Sequence, residues 1–124
     1  MRMMAKVEFG LEKGNEVVKS GAIKDHIQRV MEQLKPEAAY FGPVNGTRGC
    51  YLVVNMDDSS QLPAFSDPLF QEMHAKIEWI PVMNTDDLQR GLQLVRLHAA
   101  DARRQLVDEQ LHPQLARLVL DDEQ

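Results

Sequence analysis

Few residues of this 124-residue chain combine a type and a spacing suited to chemistry. The histidines are His26, His74, His98 and His112, the cysteine is Cys50, and an acidic pair stands at Asp57 and Asp58. No two histidines have the spacing of His-Glu-x-x-His, which sets two imidazoles on one helix face for zinc, and a lone cysteine removes any thiolate cluster. The residues therefore lead us to expect no metal and no cofactor. His74 is the candidate catalytic residue. It stands between an expected helix and the strand that carries Trp79, where an imidazole can serve as acid or base near neutral pH. The competing reading is a histidine that ends the helix beside its last carbonyls.

Four residues are candidates for ligand binding. Tyr40, Tyr51 and Trp79 each join an apolar ring to a polar atom, which suits an aromatic-lined cavity, although packing between two copies explains them as well. Arg48 follows the Asn45-Gly46 turn and can meet a carboxylate ligand with its guanidinium fork, or stand exposed in that turn. Asp57 and Asp58 can act as a base or hold a cation, or can end a strand and open a helix. Cys50 lies among apolar neighbours, which makes it a small buried hydrophobe rather than a nucleophile. Gly42, Gly46 and Gly49 have no Gly-Lys-Ser/Thr after them and open no helix, so they form no phosphate loop.

Composition narrows the classes. The formal charge of −5 argues against a nucleic-acid partner, which calls for a basic face. With 44% hydrophobic residues the chain is globular rather than disordered. No apolar stretch approaches the roughly 18–20 residues of a membrane span, and Lys6 and Glu8 break the first apolar run before it reaches signal-peptide length. A cytoplasmic location is the expectation, with no membrane partner.

The elements that must position these residues follow from periodicity. Met3, Ala5, Val7 and Phe9 alternate with Met4, Lys6 and Glu8, a half-exposed strand. Residues 10–14 break that pattern, and Asn15 caps a helical piece starting at Glu16. Gly21 interrupts it, and a restart near Ala22 places Ile23, Ile27, Val30, Met31 and Leu34 at helical spacing up to Pro36. Residues 38–44 and 49–56 form two strands around the hairpin turn Asn45-Gly46. The second is apolar on both faces and therefore central. Leu62, Phe65, Leu69, Phe70 and Met73 outline another helix, which Pro68 kinks or divides. Residues 76–83 are the fourth strand, which Pro81 places at an edge or gives a bulge. From Thr85 a long helix carries Leu88, Leu92, Val95, Ala99, Ala102 and Leu106 in a 4-3-4-3-4 seam. Pro113 is expected to start or kink a last short helix.

The order β-α-β-β-α-β predicts an α+β fold: a ferredoxin-like antiparallel sheet over residues 1–84, with a C-terminal helical extension over 85–124. Helices cover one sheet face. The other carries Tyr51, Val53, Ile80 and Val82, too apolar for a solvated surface, and a second copy stacked sheet on sheet would bury it. The pattern predicts a homodimer with space between the sheets.

Gly14-Asn15-Glu16-Val17-Val18-Lys19-Ser20-Gly21, Lys35-Pro36-Glu37-Ala38-Ala39-Tyr40-Phe41, Val53-Val54-Asn55-Met56-Asp57-Asp58 and Pro81-Val82-Met83 resemble a group of small uncharacterised bacterial proteins. That group is similar to the dimeric α+β barrel superfamily. The resemblance covers about residues 1–92, and its most specific motif is Lys-Pro-Glu-Ala-Ala-Tyr-Phe. It implies pairing through the sheets. The superfamily includes cofactor-free monooxygenases, muconolactone-type isomerases, haem proteins and amino-acid-binding regulatory modules.

Three functions remain in competition. The first is a homodimeric domain that binds a small apolar or carboxylate-bearing molecule between paired sheets. The second is a small cofactor-free enzyme with His74 as acid or base, which needs His74 to face a pocket beside Tyr40, Tyr51 or Trp79. The third is an interaction protein that uses the C-terminal helix for oligomerisation. The first is the reading we carry forward.

Overall fold

The structure, a computed structural model, describes residues 1–110, and the expected helix at Pro113 lies outside them. The chain divides into two compact units, Met1–Val82 and Met83–Gln124. The first unit is α+β, with a four-stranded antiparallel sheet in the order β2-β3-β1-β4. Its elements are β1 (Arg2–Glu8), α1 (Leu11–Ser20), α2 (Ile23–Leu34), β2 (Ala38–Val44), β3 (Thr47–Asn55), a 3-10 turn (Ser59–Gln61), α3 (Leu62–Met73) and β4 (Lys76–Pro81). The described part of the second unit is one helix, α4 (Thr85–Gln110).

The core lies on the helix side of the sheet. Ala5, Val7, Cys50 and Leu52 pack there against Val17 of α1, Val30 and Leu34 of α2, and Leu69 and Met73 of α3. Met3, Val54 and Met56 form a second buried group with Leu62, Phe65 and Trp79. In β1 and β3, alternate residues face this core, as period two requires. β3 is central and β4 lies at an edge, with Pro81 its last residue.

Four elements differ from expectation. β3 runs over Thr47–Asn55 rather than 49–56, because the ladder with β2 continues to the pair Val44 and Thr47 beside the turn. α1 begins at Leu11, five residues before the expected start at Glu16, and Gly10 rather than Asn15 precedes it. Glycines at 10 and 14 suggest a loop, but Gly14 is buried inside the helix and its N–H donates to the Gly10 carbonyl at 2.7 Å. Packing of Gly14 and Val17 outweighs the weak local propensity of glycine. α3 runs unbroken through Pro68. The proline removes the donor for the Ala64 carbonyl, and Ala64 is exposed, so water can satisfy that carbonyl. β4 ends at Pro81, two residues short of the expected end.

In the second unit, Asn84 Oδ1 accepts the Asp87 N–H at 2.8 Å, and Asp87 Oδ2 accepts the Asn84 N–H at 3.1 Å. This reciprocal box fixes the start of α4. Leu88, Leu92, Val95 and Leu106 of the 4-3-4-3-4 seam are exposed. Among the described residues, no helix is long and apolar enough to cross a membrane.

Candidate functional site

The sheet register sorts the sequence-derived candidates onto different surfaces. Tyr40 pairs with Tyr51, and Tyr51 with Lys6, on the open face away from the helices. Trp79 pairs with Ala5 and packs toward the core, on the opposite face. One cavity therefore cannot be lined by all three rings. The Trp79 indole N–H donates to Ser66 Oγ at 2.9 Å, and its ring meets Phe65 edge to face at a centroid distance of 6.4 Å.

His74 is exposed and ends α3 in a left-handed conformation, φ 48° and ψ 44°. Its backbone N–H donates to the Phe70 carbonyl at 3.1 Å. That is the helix-ending position. The face of Tyr40 and Tyr51 and the core position of Trp79 are built by other elements. Asp58 caps the 3-10 turn, its carboxylate accepting the Ser60 N–H at 3.0 Å. The hydrogen bond from the Ser60 backbone holds that carboxyl below its ordinary range; burial opposes it, and the hydroxyls of Ser60 and Ser59 add to it. Cys50 is buried, and burial pushes its thiol up to about 12, so it stays protonated at neutral pH. Among the described residues, no group of three or more His, Cys, Asp or Glu stands close enough to hold a metal ion.

Arg48 occupies the most distinctive setting. It lies two residues before Cys50 in β3 and therefore points to the core side of the sheet, where it meets Gly14 and Asn15 of α1. There an open groove of about 690 Å³ runs between the α1–α2 pair and the β2–β3 hairpin. Its apolar walls are Phe9, Leu11, Ile23, Ile27, Phe41 and Pro43, and Arg48 supplies the charge. Phe41 stands on the core side yet is 51% exposed, because β2 is an edge strand that the helices leave uncovered. Arg48 Nη1 donates to Asn15 Oδ1 at 2.6 Å. Its stem passes Gly14, where an added Cβ would lie 4.0 Å from Arg48 Cδ. Among the described residues no carboxylate pairs with this guanidinium.

The sequence reading assigned Asn15 to a cap and overlooked Phe41, Ile23 and Ile27 as a wall. The parity of Arg48 with Cys50 and Leu52 was the available signal: a charge on the core side of a central strand needs a reason.

A second cluster joins α2 to α3. Glu72 accepts hydrogen bonds from Arg29 Nε at 2.9 Å and Nη2 at 3.0 Å, and His26 Nδ1 lies 2.5 Å from Glu72 Oε2. His26 is thus half-buried against an acid. The Arg29 hydrogen bond is the main reason the Glu72 carboxyl sits below its ordinary range; burial opposes it, and His26 adds to it. A depressed folded pKa contributes stability above the unfolded value of about 4.3, and that contribution is lost as pH falls through the folded value. Glu72→Ala is expected to cost about 1 kcal/mol at pH 7, and its urea midpoint should fall less than the wild type's below about pH 4. Parallel midpoint-versus-pH curves for the two proteins would contradict this.

Comparison with protein-family models and with curated proteins finds no match to this chain.

Proposed function

We propose that the first unit is a ferredoxin-like domain that pairs with a second copy through its open sheet face and holds a small apolar or carboxylate-bearing molecule. The strand order β2-β3-β1-β4 with antiparallel neighbours supports the ferredoxin-like assignment. One observation carries the pairing. In register across the open face, Ile80, Met4, Val53 and Ala38 form one row, and Tyr51 and Tyr40 continue the next beside Lys6 and Glu78. Charged residues flank this block: Arg2 bonded to Glu37 at 2.9 Å on one side, and Glu8 opposite Lys76 on the other. An apolar row bordered by charged residues, the Lys6 and Glu78 pair among them, suits an interface, and Tyr40, at 69% exposure, is its protruding aromatic.

Light scattering tests the pairing. The expected mass is twice the 14.1 kDa of the chain, and the double variant Tyr40→Glu, Val53→Glu should fall to one copy with unchanged circular dichroism. A wild-type mass of one chain at tens of micromolar would refute the reading.

The exposed seam of α4 favours a second contribution, in which Leu88, Leu92 and Val95 clasp another helix. Removing residues 93–124 separates the two. An unchanged dimer mass assigns the pairing to the sheet, and a monomer assigns it to the helix.

A further inference from the structure

We propose that the groove between α1–α2 and the β2–β3 hairpin is the ligand site, and that it takes a small monocarboxylate with an apolar body, its carboxylate on Arg48 and its body against Phe41, Ile23 and Ile27. This rests on the ligand-binding half of the proposed function alone and is independent of the pairing. It also moves the ligand from between the sheets to the opposite side of the sheet.

Three observations carry the inference together. The groove, at about 690 Å³, has the size of a small-molecule site and walls that are apolar apart from the hairpin backbone, Thr47 and Arg48. Its aromatic wall, Phe41, is half exposed on the side of the sheet that otherwise forms the core. Its one cation is held in place but not neutralised. Asn15 fixes one nitrogen of the Arg48 fork through a neutral oxygen, and the stem passes beside Gly14 of α1. The remaining N–H groups have no partner among the described residues. A guanidinium offers five donors in a planar fork that matches the two oxygens of a carboxylate. A single guanidinium among apolar walls fits a single negative charge on an apolar body better than a phosphate, and the net charge of −5 disfavours polyanions generally.

Titration of 15N-labelled full-length protein with decanoate, and separately with decanol, tests this by amide chemical shift. Decanoate should shift amides of residues 41, 42 and 44–49 and of Ile23 and Ile27, with at least tenfold higher affinity than decanol. Arg48→Met keeps the apolar stem and removes the charge. It should retain the wild-type spectrum elsewhere and bind the two probes equally. Equal affinities in the wild type, a preference for decanoate that survives in Arg48→Met, or no shifts at millimolar probe would each overturn the proposal. Shifts confined to Met4, Tyr51 and Val53 would also overturn it, placing the ligand between the sheets instead. A monomeric mass combined with groove shifts would refute the pairing and leave this site standing.

Discussion

Gly49→Ala is expected to cost the fold about 3 kcal/mol, while the same change at its cross-strand partner Gly42 stays within about 0.5 kcal/mol of wild type. The two glycines face each other in the β2–β3 ladder, so strand propensity cannot separate them. Space does. A Cβ on Gly49 would lie 2.2 Å from the Val7 carbonyl oxygen and 2.6 Å from Val44 Cγ2, whereas a Cβ on Gly42 meets nothing within 4 Å. Rotation can move Val44 Cγ2 but not its Cβ, 2.8 Å away, and the Val7 carbonyl belongs to the backbone of β1, which is paired on both sides. The sheet must therefore open where β1 meets β3. This is the place that positions the groove: the Phe9 N–H donates to the Arg48 carbonyl at 2.9 Å, one residue from Gly49. Urea unfolding of the two variants measures the difference. Equal midpoints for Gly49→Ala and Gly42→Ala would show that the close approach is not a constraint. Where Gly49→Ala still folds, it should also weaken decanoate binding, because Phe9 and Arg48 both line the groove.

The strands were legible because their signal is local. Alternation in residues 2–8, the Asn45-Gly46 turn and the punctuation by Pro36 and Pro81 each act within a few residues. Asn45 and Gly46 both take positive φ, 51° and 82°, as the dipeptide implies. The start of α1 was not legible, because Gly14 is held in the helix by burial, a property that appears only when α1 lies on the sheet. The site was readable by halves. Arg48 is of a type that pairs with carboxylates, which is visible in the sequence. The wall it works with comes from Ile23 and Ile27 on α2 and Phe41 on β2, and only the placement of α2 beside the hairpin brings them together. The same limit hid the contact of His26 with Glu72, 46 residues away in the chain. The aromatic candidates failed to converge for a period-two reason. Trp79 shares the parity of Ala5, and Tyr51 that of Lys6, so the pleat sends their rings to opposite sides.

Trp79 then belongs to the fold, which gives the second large effect. Trp79→Ala should cost about 3 kcal/mol, the lower part of the range for a buried indole, since the ring is only partly covered. The more informative change is Trp79→Phe. It keeps most of the contact with Phe65 and removes the N–H that Ser66 Oγ accepts. Ser66 is 8% exposed, so its hydroxyl is left without that partner in a nearly dry position, at a cost of about 1 kcal/mol. Removing both partners should recover much of this. Trp79→Phe combined with Ser66→Ala is expected to be more stable than the sum of the single changes predicts, by about 0.5–1 kcal/mol. Urea unfolding followed by far-UV circular dichroism closes the cycle, because the chain's one tryptophan is itself the residue changed. Strict additivity would show that the indole–hydroxyl contact carries no energy and would leave Trp79 free for another task. Decanoate affinity supplies the complementary reading. Trp79 does not line the groove, so Trp79→Phe should leave binding within about twofold of wild type, whereas a loss comparable to that in Arg48→Met would return Trp79 to the ligand site.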